Sequence, residues 1–325
     1  MQFQPATARA GANIALVKYW GKRDAELNLP AAGSISLTLD GLSTTTTVTP
    51  DDGLEKDRLI LGGQPADASR ISPVLDLLRG ILGGGPFCQV ESRNNFPTGA
   101  GLASSASAFA ALVVAADRAF GLELSAERLS ELARRGSGSA ARSIFGGFVE
   151  MDAGRLADGS DCIAHRLLDG QEWPLELVVA ITDDASKDVS STDGMNRTMQ
   201  TSPYYSAWVD TVPADLETAR RAIQARDFAA LAAVAEHSAL KMHASALAAQ
   251  PGLLYWNAAT LACVHAIRSL QASACDVFFT MDAGPQVKAV CPPDQAARVA
   301  EALAATPGVI RVLRTGLGEG AAVLT

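Results

Sequence analysis

Residues 34–39 alternate small polar and apolar side chains, the period-2 pattern of a half-buried strand. Asp40-Gly41 follows as a hairpin turn signal, ahead of a β-branched run over 43–49. Leu59-Ile60-Leu61, before a Gly pair, reads as another strand. Apolar residues over 71–82 recur at helical spacing and stop at Gly83-Gly84-Gly85. Residues 87–92 read as a strand, and a Pro/Gly loop then leads into an Ala-rich helix from Ser104 to Phe120. Ser125 caps a following helix with Leu129, Leu132 and Ala133 on one face. Residues 148–151 and 175–181 complete the strands of the first half. The second half predicts helices over 214–225 and 228–248, with Asp227 as N-cap, and a third over 253–270 beyond Pro251-Gly252. Buried-type strands at 277–280 and 287–291 flank an Asp-Ala-Gly-Pro turn. A helix opened by Pro293 runs to about 305, and 309–313 forms a last strand. Interleaved strands and helices predict an α+β protein of two lobes. The polar stretch 184–200 supplies their boundary, so the expected domains are 1–190 and 191–325.

Composition narrows the partners. The chain has 325 residues, 48% hydrophobic and 19% charged, with a net charge of −8 and a pI near 5.1. No broad basic field is available for nucleic acid or an anionic membrane, so a small anionic ligand needs a local basic cluster. Cys88, Cys162, Cys263, Cys275 and Cys291 form no CxxC pair, which disfavours a zinc site or a disulfide framework. They read as small buried thiols in a reducing cytoplasm. MQFQPATARA lacks the basic start and apolar block of a secretory signal, and the most apolar stretch, 106–116, is too short to span a bilayer.

Candidate chemistry gathers in a few strings. Pro97-Thr98-Gly99-Ala100-Gly101-Leu102 leads into Ser104, Ser105 and Ser107 at the start of the Ala-rich helix. Glycines let backbone N–H groups approach an anion, and the positive end of a helix favours a phosphate there. No Lys follows the glycines, so this is not a GxxxxGK[ST] loop, and a Ser-capped helix start is the plainer reading. Asn13 is followed by Lys18-Tyr19-Trp20-Gly21-Lys22. A strand or a helix would point both lysines the same way, around a diphosphate or into solvent. Ser137-Gly138-Ser139-Ala140-Ala141-Arg142 combines a Gly/Ser turn with a guanidinium suited to a carboxylate. Asp282 stands at a strand end before Gly284-Pro285, as a held acid or as the cap of its own turn.

The glycine-serine loop resembles that of the GHMP kinase superfamily, which includes galactokinase, homoserine kinase and mevalonate kinase. That resemblance implies a ribosomal-protein-S5-like N-terminal lobe and a ferredoxin-like C-terminal lobe. The strings at 13–23, 136–147 and 282–285 are similar, in particular, to those of the diphosphomevalonate decarboxylase family. This implies ATP and Mg²⁺ as cofactors, mevalonate 5-diphosphate as substrate and a homodimer. It assigns catalysis to Asp282, Arg142, Lys18 and Ser105. Substrate falls to Asn13, Lys18, Tyr19, Trp20, Gly21, Lys22, Arg70, Ser137, Gly138, Ser139, Ala140, Ala141 and Arg142. Thr192 and Met195 join them, from a segment expected to close over the site. Nucleotide falls to Pro97, Gly99, Ala100, Gly101, Leu102, Ser104, Ser105, Ser107 and Lys187, with the metal ligands unassigned. Lys241-Met242-His243-Ala244 resembles a helix lining the site. The chain departs from the family at Ala32-Gly33-Ser34, where Asn-Ser-Ser is common, and at Thr98-Gly99-Ala100. A phosphomevalonate decarboxylase and a mevalonate 3-kinase-type phosphotransferase stand as alternatives.

Overall fold

The computed structural model describes residues 3–96, 104–185 and 188–324. The chain opens with β1 (Ala6–Val17), β2 (Lys22–Asp24), β3 (Leu29–Pro30), β4 (Ser34–Asp51), β5 (Arg58–Leu61) and β6 (Gln64–Ala66). Next come α1 (Ser72–Leu82), β7 (Phe87–Asn94), α2 (Ser104–Phe120), α3 (Ala126–Gly136), α4 (Ala140–Ser143), β8 (Phe148–Met151), β9 (Ala164–Leu168) and β10 (Glu176–Ile181). The rest is α5 (Ser191–Thr201), α6 (Tyr205–Ala225), α7 (Phe228–Leu247), α8 (Ala258–Ala272), β11 (Phe278–Thr280), β12 (Val287–Cys291), α9 (Ala296–Ala304), β13 (Arg311–Gly316) and β14 (Ala322–Leu324).

Among the described residues two large sheets organise the mixed α+β fold, beside a two-stranded ladder of β2 and β3. The larger has the order β14-β1-β4-β7-β5-β6, with β8 joined to β4 and β9 to β8; the smaller has the order β11-β12-β10-β13. β10 precedes the expected domain division at 190 and pairs with β12 and β13. β14 follows that division and pairs with β1. The proposed division is therefore one of chain order, with ladders running across it in both directions.

Alternation explains the layers. Leu177, Val179 and Ile181 of β10 enter one core, while Val178 and Ala180 enter another. The first core also takes Ile14 and Leu16 of β1, Leu37 of β4, Val212 of α6 and Met242 of α7. Helices α6 and α7 thus fill the space between the sheets. The outer face of the large sheet is covered by α1, α2 and α3, and that of the small sheet by α8 and α9. A sheet buried on both faces needs near-continuous apolar strands, which is why residues 175–181 read so clearly.

Several local expectations change. Asp40-Gly41 does not reverse the chain. β4 continues through it and pairs with β1 on both sides, Gly11 with Ser43 and Asn13 with Thr38. The surplus residues of β4 form a bulge that bends the strand. The polar stretch after residue 190 holds helix α5, with the Ser190 side chain accepting from Asp193 N and with Gly194, Met195 and Thr198 buried. α6 begins at Tyr205 rather than 214, with Pro213 inside it. α8 starts at Ala258 rather than 253, where Asn257 and Thr260 form a reciprocal capping box. β13 is not the last strand, since β14 follows and closes the large sheet. The Ser125 and Asp227 caps and the burial of all five cysteines are as expected.

Candidate active site

The expected site residues converge where β1 ends, between the two sheets. A cleft of ≈530 Å³ is lined by Asn13, Lys18, Tyr19, Trp20, Lys22, Arg70, Ser105, Ser137, Gly138, Ser139, Arg142, Thr192, Met195 and Asp282. Ala15, Asn28, Gly136, Ser190, Ser191, Met242 and Ala283 complete its wall. Gly21, Ala140 and Ala141 do not reach it, nor do Ser104 and Ser107. Ala140 and Ala141 are buried beneath the Ser-Gly turn, and Ser107 Oγ faces inward to Thr44 Oγ1 at 2.7 Å. The expectations on Pro97, Gly99, Ala100, Gly101, Leu102 and Lys187 lie outside the described residues.

The two lysines sit on no common element. Lys18 follows the end of β1, Lys22 opens β2, and between them Gly21 has φ +95°, a conformation that side chains resist. A Cβ on Gly21 would also meet the Tyr205 hydroxyl at 1.8 Å. Neither a continuous strand nor a helix links the pair as the spacing suggested, yet both lysines line the cleft. Lys18 turns inward, 1% exposed, and its Nζ donates to Asp282 Oδ1 at 2.8 Å and to Ala15 O at 2.7 Å. Burial depresses its pKa, Asp282 counteracts, and the balance is about 8.

Asp282 does not cap its own turn with its side chain. It follows β11, its main-chain carbonyl accepts from Gly284 N at 2.8 Å, and Lys18 and Lys288 hold its carboxylate. The Lys288 contact, to Oδ2, is 3.2 Å. Burial favours the neutral acid, but the two ammonium groups outweigh it and hold the carboxyl well below the usual carboxylate range. Lys288 was not singled out from sequence. Its signal is a lone ammonium within the otherwise apolar VKAVC of β12.

Arg142 sits on α4, 1% exposed. Its Nε donates to Ser36 Oγ at 2.9 Å, one terminal nitrogen to Ser34 Oγ, and the other to Asn13 Oδ1 at 3.2 Å. Asn13 in turn donates to Ser139 O and Ser143 Oγ, so one amide braces both the guanidinium and the Ser-Gly turn. Ser34 is retained from the departing string and holds the guanidinium. Gly33 is closely packed, since a Cβ there would lie 2.9 Å from Leu216 Cδ1 and 3.0 Å from Met151 O. Among the described residues no carboxylate pairs with Arg142, Lys22 or Arg70. Burial lowers the pKa of Arg142 to about 10, and that of Lys22 falls through burial and then through the neighbouring Arg70 charge. The cleft thus holds cations that lack an internal anion, in a chain of net charge −8. That arrangement suits a ligand with more than one anionic group.

The start of α2 and helix α5 also meet here. Ser137 Oγ donates to Ser105 Oγ at 3.3 Å, joining the Ser-Gly turn to the N-terminus of α2. A second, more apolar cavity of ≈260 Å³ lies beside it, lined by Leu59, Ile71, Val90, Phe109 and others, and Ser105 and Arg70 border both cavities. Thr192 and Met195 approach from α5. His243 on α7 lies behind the cleft, not on its wall, with its ring centroid 4.8 Å from that of Trp256.

Residues 10–164 match the diphosphomevalonate decarboxylase-like N-terminal domain, and residues 177–310 the mevalonate 5-diphosphate decarboxylase C-terminal domain. The chain is 39% identical over 301 residues to the Homo sapiens diphosphomevalonate decarboxylase, covering 86% of this chain and 74% of that protein. A solved structure of mevalonate diphosphate decarboxylase from Staphylococcus aureus is similar with TM-score 0.94 and 36% identity, over 100% of this chain and 99% of that one. Another, described as MDDEF in complex with MVAPP, AMPPCP and magnesium, has TM-score 0.91 and 39% identity over 99% of both chains.

Proposed function

The chain belongs to the diphosphomevalonate decarboxylase family, and on that premise we propose that its cleft decarboxylates mevalonate 5-diphosphate at the expense of ATP. The products are isopentenyl diphosphate, ADP, phosphate and CO₂, a step of isoprenoid biosynthesis by the mevalonate pathway. One observation carries the reading: a buried guanidinium without an internal anion faces the same cleft as a half-buried acid clamped by two lysines.

The tertiary C3 hydroxyl is a poor leaving group until phosphorylated. Asp282 orients that hydroxyl and accepts its proton as the phosphoryl group arrives, a step in which alignment outweighs basicity. Its depressed pKa fits alignment, because a carboxyl that gives the proton up again to solvent is charged when positive charge develops at C3. Arg142 holds the substrate carboxylate on the far side and offsets its repulsion from Asp282. The C–C electron pair then forms the double bond as phosphate departs and CO₂ is released. Lys22 and Arg70 take the diphosphate.

The residues present fit a nucleotide. Ser104 and Ser105 open α2 as phosphate donors, and the apolar cavity beside Ser105 suits a purine. Mg²⁺, when bound, neutralises triphosphate charge. Among the described residues no group of three or more His, Cys, Asp or Glu side chains gathers to hold it. Among the described residues no helix is long and apolar enough to cross a membrane. We add to the proposal a homodimer in the cytoplasm, in keeping with five unpaired cysteines.

The test supplies purified protein with ATP, Mg²⁺ and mevalonate 5-diphosphate or 5-monophosphate. ADP, phosphate and CO₂ are expected in equal amounts, with the diphosphate preferred. ADP without CO₂ would instead mark a phosphotransferase. Lys22→Met is expected to raise KM for the diphosphate about tenfold at nearly constant kcat, since a uniformly binding cation is lost. Steady-state kinetics with both substrates checks this, and an unchanged KM would remove Lys22 from the diphosphate site. Lys18 must keep its proton to hold Asp282, and its folded pKa is lowered, so the charge is lost as pH rises. The kcat/KM profile should therefore fall through an alkaline limb near pH 8. Lys18→Arg, which stays protonated, should carry the plateau to higher pH.

A further inference from the structure

Lys288 is 0% exposed, in a strand whose other residues, Val287, Ala289, Val290 and Cys291, are also buried. An ammonium is costly in such a place unless an anion meets it. Asp282 is that anion: its Oδ2 lies 3.2 Å from Lys288 Nζ, while its Oδ1 takes Lys18 at 2.8 Å. Oδ2 is itself buried, and Lys288, unlike Lys18, does not line the cleft. The strand is well anchored. Lys288 stands opposite Thr280 of β11 and Val179 of β10, and Thr280 Oγ1 donates to Ala15 O at 3.2 Å, the carbonyl that also takes Lys18.

We propose that Lys288 is a positioning residue for the decarboxylation: from β12 it fixes the inner oxygen of Asp282, so that the outer one, shared with Lys18, is aimed at the reacting hydroxyl. The inference rests on the role given to Asp282 above. Without the inner contact the carboxylate can rotate about its own side chain, and small misplacements of a reacting group are expensive in rate. The charge has a second consequence. The charged and titratable groups facing this carboxylate are Lys18 beyond β1, Arg142 of α4, His243 of α7 and Lys288 itself. Burial, and then the charge of Lys18, push His243 down to about 3, so it stays neutral through the working range. Lys288 therefore acts on Lys18 and Asp282, lowering the pKa of both.

The test compares wild type with Lys288→Met and Lys288→Gln, recording kcat, KM for mevalonate 5-diphosphate, the pH profile and the melting temperature. Lys288→Met is expected to lower kcat about tenfold or more with KM little changed. Removing the charge relieves repulsion on Lys18, so the alkaline limb should move up by about one pH unit. Lys288→Gln keeps a donor without a charge. It should recover much of kcat and still move the limb, and it supplies the reading if the Met variant does not fold. A folded Gln variant whose limb is unmoved, or a folded Met variant with wild-type kcat, would overturn the proposal. A wild type that releases no CO₂ would instead remove the decarboxylase reading itself.

Discussion

Replacing Asp282 with Asn is expected to lower CO₂ release about 10³-fold or more while binding of mevalonate 5-diphosphate stays within a few-fold. Asn keeps the shape and loses both the proton acceptor and the charge, so phosphoryl transfer and the later cationic step suffer together. Single-turnover assays of ADP and CO₂, beside direct substrate binding, read the two effects separately. The substitution has a structural cost as well. It leaves Lys18, 1% exposed, and Lys288, 0% exposed, without their shared anion. Breaking a buried pair in this way costs roughly 3–5 kcal/mol, softened here because Lys18 sheds its proton easily. A lower melting temperature, shifted least at alkaline pH, should accompany the lost activity. A variant that keeps even a tenth of the wild-type rate would show that Asp282 is not the group that orients the hydroxyl.

Arg142→Gln is expected to lower kcat/KM about 10²-fold or more, because a buried charge-assisted contact to the substrate carboxylate disappears. Its effect on stability should run the other way. The guanidinium has Ser34, Ser36 and Asn13 as neutral partners, and among the described residues no carboxylate pairs with it. Removing an uncompensated buried charge relieves a desolvation cost. The Gln variant should therefore melt at or above the wild-type temperature while losing activity, the signature of a residue kept for function at the expense of stability. Lower stability together with near-normal kcat/KM would assign Arg142 to the fold instead.

Chemistry was more legible in the sequence than geometry. Asp282, Arg142, the Ser-Gly turn and Ser105 stand in short strings whose residue types suit anions, and all reach one cleft. Local pattern does not reveal what a side chain meets across the fold. Lys18 and Lys22 look equivalent at spacing four, yet Gly21 turns the chain between them, and only Lys18 is drawn to Asp282, 264 residues away. Lys288 escaped notice because periodicity marks it only as an interruption in an apolar strand. Asp40-Gly41 has hairpin chemistry, but β4 is held by β1 on both sides of it, so the ladder prevails and the extra residues bulge. Helix α5 was hidden by polar residues, its buried side reduced to Gly194, Met195 and Thr198. The strongly apolar strands and well-capped helices were the readable part, because their patterns follow from one face or two being buried.

The most direct measurement is a crystal structure of the protein with mevalonate 5-diphosphate and a non-hydrolysable ATP analogue. The substrate carboxylate is expected against the Arg142 guanidinium, with the C3 hydroxyl within hydrogen-bond reach of Asp282 and the diphosphate toward Lys22 and Arg70. A carboxylate turned away from Arg142, or a C3 hydroxyl out of reach of Asp282, would contradict the assignment of this cleft.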